Sequence, residues 1–160
     1  MSQMGWFRRV GGSIAIAVAA LVLLPGPASA AARVRITAVY YDPNSAGPDP
    51  ATNAGRNQEY VVVHNGGTTA ASLGGWTLRD LPRPSTPSHV YRIPSSFKLR
   101  PGASVRVHTG RGTNTRTDLY MGRTQYIWGD DSDKATLKNG AGAIVDTCSW
   151  TLADHSPKLC

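Results

Sequence analysis

From residue 33 onward, no stretch of eleven residues carries a helical apolar repeat without a Pro or Gly inside it. Proline removes a backbone donor and clashes with the preceding turn, so long helices and coiled coils are excluded. What remains are short β-branched and aromatic runs bounded by Gly, Pro, Asn and Asp, the pattern of strands and turns. Residues 33–40 alternate polar and apolar, as a half-buried strand does. Residues 59–64 form a second run and end at Asn65-Gly66-Gly67, a strong turn signal. Further strands are expected at 76–79 behind Gly74-Gly75, 89–93 behind a Pro-rich loop, and 104–108 behind Pro101-Gly102. The last ones are expected at 126–128, 134–137 and 143–146, and a long polar loop at 42–56. The 160 residues are 41% hydrophobic and include four Trp, enough apolar surface for a core and too much for a disordered chain. The expectation is an all-β sandwich or barrel, one domain over 31–150.

Residues 1–30 read as an address. Arg8 and Arg9 precede an apolar run from Ile14 to Leu24, then Pro25-Gly26-Pro27-Ala28-Ser29-Ala30. A positive start, a short apolar stretch and a small-x-small ending define a secretory signal peptide, with cleavage expected after Ala30. The run is too short for ~30 Å of hydrocarbon. No transmembrane segment is expected after cleavage, and the expected location is outside the cell, free or associated with the wall. An uncleaved anchor and a twin-arginine route are the alternatives. The only cysteines are Cys148 and Cys160. In an exported chain two thiols pair with each other, which staples the tail 151–160 to the last strand. Free thiols or an intermolecular bridge are the other readings.

Charge is regional. The formal net charge is +7, and loss of the leader with its two Arg leaves +5. Residues 79–123 alone carry +7, residues 33–78 balance at zero, and residues 124–160 come to −2. A basic segment of this kind points to an acidic partner.

The residues also resemble a known family, the lamin-tail domain. Asn57-Gln58-Glu59-Tyr60-Val61-Val62-Val63-His64-Asn65 resembles its second strand. Leu73-Gly74-Gly75-Trp76-Thr77-Leu78-Arg79-Asp80 resembles its most specific element, Leu-x-Gly-Trp-x-Leu-x-Asp. Ile36 to Pro43, Leu99 to Gly102, Trp128, Asp133 to Leu137 and Gly142 to Asp146 follow in order. The chain is similar to the stand-alone exported versions of actinobacteria. The resemblance implies an immunoglobulin-like β-sandwich with a binding or scaffolding role, and it brings no catalytic residues and no cofactor. Within that frame Trp76 is expected as a core anchor, Gly75 as a position needing an unusual backbone angle or close approach, and Tyr60 and Trp128 as structural residues. Glu59, an acid opening an apolar strand, either hydrogen-bonds backbone in a neighbouring loop or holds a ligand or ion.

Catalytic patterns are scarce. There is no Gly-x-Ser-x-Gly elbow and no His-Glu-x-x-His zinc motif. An enzyme would need His64 or His108 beside Asp residues joined by folding, as a secreted hydrolase or nuclease; a loop-based enzyme inhibitor is a further alternative. Two acidic loops are weak calcium candidates: Asp42 with Asp49, conceivably with Glu59, and Asp130, Asp131 and Asp133. The other reading of the second is a hairpin turn, where Asp favours the geometry. The stretch from His108 to Asp118 is rich in Gly and hydroxyls and carries Arg111 and Arg116. It is either a solvated connection or an anion-binding loop, in which Arg111, Arg116, Asn114, Arg106 and Arg123 are the candidate binding residues. The expected function is an exported, non-enzymatic binding or structural module, monomeric, whose partner is an acidic polymer (a cell-wall polyanion or extracellular DNA) or a protein.

Overall fold

The alternating run that begins at Val34 seeds one of two facing sheets. In the computed structural model, which describes Met1 and residues 31–160, strand β1 spans Val34–Tyr40 and pairs antiparallel with β2, Tyr60–Asn65. β2 pairs in turn with β7, Ser104–His108, and β7 runs parallel to β8, Asp118–Tyr120. With β11, Lys158–Leu159, on the far edge of β1, the order is β11-β1-β2-β7-β8. The second sheet has the order β10-β9-β4-β5, from Ile144–Trp150, Asp133–Lys138, Thr77–Arg79 and Val90–Arg92. A small third ladder joins β3, Ala71–Ser72, to β6, Lys98–Leu99. The expected signal peptide lies outside the described residues. The expectation of an all-β, immunoglobulin-like sandwich holds.

Period-two patterning decides what fills the core. Ile36, Val39, Val61, Val63, Val105, Val107 and Leu119 point inward from the first sheet, and Leu78, Ala135, Leu137 and Trp150 meet them from the second. Each such aliphatic side chain contributes roughly 1.5–3 kcal/mol when fully buried. The core tryptophans are Trp128 and Trp150, each 2% exposed. Trp76 differs from its expected place: it is half-buried and packs against the core's margin. It stands at a turn, where its amide donates to the Leu73 carbonyl, and Leu73 and Leu78 occupy the interior on either side. Gly75 has φ of +79°, the left-handed angle that favours glycine. Its neighbour Gly74 lies against the Ser95 backbone so closely that a Cβ there would overlap it.

Two connections are more ordered than their sequence implies. The polar loop 42–56 ends in a four-residue helix α1, Asn53–Arg56, capped by Thr52, whose hydroxyl accepts from the Gly55 amide at 3.0 Å. The strand expected at 126–128 does not form. Ile127 and Trp128 are buried there as irregular chain, because their amides bond to a side chain and not to a neighbouring strand. The turn after β2 is built on Asn65, fully buried. Its Oδ1 accepts from the Arg33 and Gly67 amides, and its Nδ2 donates to the Thr69 and Leu99 carbonyls.

Cys148 and Cys160 form a disulfide. Cys148 belongs to β10 of one sheet, and Cys160 directly follows β11 of the other, so the bridge crosses between the sheets. The segment between them is held by the Ser156 hydroxyl, which accepts from the Tyr41 and Asp42 amides, and by the Lys158–Asp154 ion pair. Leu159 is 72% exposed, so β11 is not held by apolar burial. Reduction is therefore expected to lower stability by about 3 kcal/mol, the loop-entropy value for a ring of this length. Thermal melts with and without reductant check this, and an unchanged midpoint would show that the bridge contributes nothing.

Candidate functional site

Lys98 and Arg100 sit in and just after β6, and Arg116 lies in the connection from β7 to β8. Folding brings the three to one groove of about 510 Å³. Phe97, Pro94 and Leu119 supply its apolar lining, and Asn114 and Thr115 its polar atoms. No carboxylate lines it, and none of the three cations forms an ion pair among the described residues. All three are exposed.

The connection that carries Arg116 is pinned at its backbone. Asn53 Oδ1 accepts from the Arg111 amide, and Asn53 Nδ2 and Asn57 Nδ2 both donate to the Arg111 carbonyl, at 2.8–3.0 Å. Gly110 permits this approach, since a Cβ there would lie 2.3 Å from Asn57 Oδ1. Asn114 Oδ1 accepts from the Tyr120 amide. Of the candidate anion-binding residues, Arg116 and Asn114 line the groove. The Arg111 side chain is exposed outside it. Arg106 is tied to Asp118 at 2.8 Å, and Arg123 donates to the Val90 carbonyl. Lys98 carries no motif and Arg100 lies in the Leu99–Gly102 turn; for binding, only their place in the basic segment marked them in the sequence.

Three of the four histidines, His64, His89 and His108, are placed in structural bonds. His108 Nδ1 lies 2.7 Å from the Asn57 carbonyl and Nε2 lies 3.1 Å from Asp118 Oδ1. Both ring nitrogens are therefore engaged by the fold, one with the β2-flanking backbone and one with Asp118. Burial pushes the Asp118 carboxyl up, but hydrogen bonds from Thr117, His108 and Arg106, with the Arg106 charge, outweigh it and hold the group at about 2. His89 bonds Asp80 and closes the β4–β5 loop. His64 faces Ser104 at 3.0 Å, and no carboxylate bonds its other nitrogen among the described residues. These pairs do not assemble a nucleophile, a base and an orienting acid.

The acidic loops converge at another place. One carboxylate oxygen each from Asp42, Asp49 and Asp130 lie within 4.8 Å of one another. Burial and then the Asp42 charge push Asp49 up, against the Asn44 amide; burial and then Asp49, Asp42 and Asp131 push Asp130 up. Asp131 lines the adjoining cavity with Asp42, Asp130 and Asp154. Asp133 does not join them. It is buried, with Oδ1 accepting from the Leu81 and Lys134 amides and Oδ2 from the Gly129 amide.

Glu59 has no exposed surface. Its Oε1 accepts from the Ile127 and Trp128 amides at 3.0 and 2.7 Å and from the Thr109 hydroxyl at 3.1 Å. Of the two roles its position allowed, bonding a neighbouring loop is the one these contacts fill.

Comparison with protein families supplies the deciding observation: the lamin tail domain model matches residues 27–152. The chain belongs to that family. A comparison with curated proteins found no match. In this lamin tail domain the family-like segments coincide with the bonds above: Glu59 directly precedes β2, Asn65 closes it, and Asp80 ends the Leu-x-Gly-Trp-x-Leu-x-Asp element just after β4.

Glu59→Ala is expected to cost roughly 3–6 kcal/mol, because three buried donors lose their acceptor. Burial is the main cause that raises Glu59 from 4.5 to about 8, so the folded state holds a proton that the unfolded chain releases. Its contribution is full below pH 4.5 and is lost as pH rises through about 8. Denaturant unfolding across that window should show stability falling with pH in the parent and a flatter profile in Glu59→Gln.

Proposed function

We propose that this lamin tail domain is an exported, non-catalytic binding module that holds an acidic polymer in the Lys98–Arg100–Arg116 groove. The observation that carries this reading is the convergence of three exposed cations, free of ion pairs among the described residues, on a groove with no acid in its lining. Cations so placed neutralise polymer charge and release its counterions, a gain in binding that falls steeply with salt. The apolar lining beside them gives the sugar or ring portions of such a polymer a surface to pack on. Export rests on the pattern of residues 1–30, and the disulfide suits an oxidising compartment.

Binding to purified cell wall and to duplex DNA, each at low and high salt, is the direct test. The expected result is binding to one of them at low salt, lost at high salt. Lys98→Ala, Arg100→Ala and Arg116→Ala together should weaken it at least ~10-fold and flatten the slope of log K against log salt by about 2–3, one charge contact at a time. Arg35→Ala, three strands away across the sheet, should leave it unchanged. Absence of binding at low salt, or full binding by the triple variant, overturns the proposal.

A further inference from the structure

We infer that the outer face of the second sheet docks this domain on an anionic lipid surface, using residues separate from those of the cationic groove. Directly paired residues share a face of a sheet, so the register fixes what this face presents. Lys138 of β9 stands beside Thr77 of β4, which stands beside Arg92 of β5. In the neighbouring row Thr136 of β9 stands beside Arg79 of β4. Lys134 lies two residues further back on β9, beside Ser149 of β10. Four cations from three strands thus share the face with hydroxyls, and none of them forms an ion pair among the described residues.

The acids of the same strands are turned the other way. Asp133 and Asp146 pair with Trp150 and Leu137, both core residues. Asp133 is buried on backbone amides, and Asp146 Oδ2 accepts from the Ile36 amide of the first sheet. Charge totals hide this sorting, since residues 124–160 come to −2 and still place two lysines on the face. Lys134, Lys138 and Arg79 are half-buried and Arg92 is exposed. An unpaired charged head is costly to remove from water, so the stems lie along the sheet and the heads reach solvent.

The spread of the charge and what borders it select the occupant. Lys134 and Lys138 stand about 13 Å apart along β9, and Arg79 and Arg92 extend the array sideways over two more strands. A polymer thread meets a line of charges, whereas headgroups offer a plane of them. The borders of the array are aliphatic. Val90, paired with Arg79 on the β5 edge, is 40% exposed, and Ile144, paired with Lys138 on the β10 edge, is 62% exposed. Side chains so exposed gain little from a soluble polyanion, but they can enter the interfacial layer of a bilayer whose phosphates meet the cations.

Co-sedimentation of the exported form, residues 31–160, which hold both sheets, tests the face. The probes are vesicles of phosphatidylcholine alone and of phosphatidylcholine with phosphatidylglycerol in equal parts. The expected result is binding to the mixed vesicles, lost at high salt, and none to the neutral ones. Each cation at such a surface strengthens binding about 5-fold, so Lys134→Gln with Lys138→Gln should weaken it about 25-fold. Arg79→Gln with Arg92→Gln should repeat that loss from the other two strands, and Ile144→Ser should weaken binding several-fold at an unchanged Tm. The Lys98, Arg100 and Arg116 triple variant should bind vesicles as the parent does, so failure of the groove and failure of this face are read separately. No binding to the mixed vesicles, equal binding to the neutral ones, or full binding by the folded paired variants overturns the inference. So does a soluble polyphosphate chain that binds this face when vesicles do not.

Discussion

One buried oxygen, Glu59 Oε1, joins segments that pairing alone would leave apart. It anchors the start of β2 to the irregular chain at 127–128 and to Thr109, just past β7. Because Ile127 and Trp128 find their acceptor there, they are buried without a strand partner, and Trp128 packs edge-on against Trp150 of the opposite sheet. Trp150 in turn stacks on Tyr41 and donates its indole N–H to the Gly129 carbonyl. Backbone groups in such irregular chain need a partner as much as those in a ladder do. A side-chain acceptor at this position is what lets the sandwich close at that end.

The sheet architecture was legible because its signals are local. Alternation at 33–40, 59–64 and 104–108 and the Asn65-Gly66-Gly67 turn map onto β1, β2 and β7 within a residue or so. The three-residue β8 and the two-residue β3, β6 and β11 were not legible, since so few residues carry no period. The run at 126–128 misled for a related reason: an apolar stretch reports burial, and burial does not require pairing. Trp76 misled differently, since size favours the core but its turn position sets it at the margin.

The groove and the acidic trio show what one-dimensional reading loses. Asp42, Asp49 and Asp130 were visible as members of two separate acidic loops, and only the closed fold makes them one cluster. Arg116 stood out in its glycine-rich stretch, while Lys98 sits on a two-residue ladder and Arg100 just beyond it. The groove needs both. Arg106, equally basic in sequence, is taken by Asp118, and the asparagines that immobilise the Arg111 backbone lie more than 50 residues away from it.

The bridge between Cys148 and Cys160 also gives the sandwich a spine. It joins the two sheets covalently along the β10–β11 side, while the opposite side, where β5 and β8 stand at the sheet edges, is closed by contacts such as Arg123 to the Val90 carbonyl. Local opening follows the weakest closure, so opening of this domain, like that of a bound book, is expected from the fore-edge. The cationic groove lies along that fore-edge, at Leu119 and Arg116. Its width is therefore expected to depend on that edge, while the asparagine bonds hold the Arg111 backbone in place.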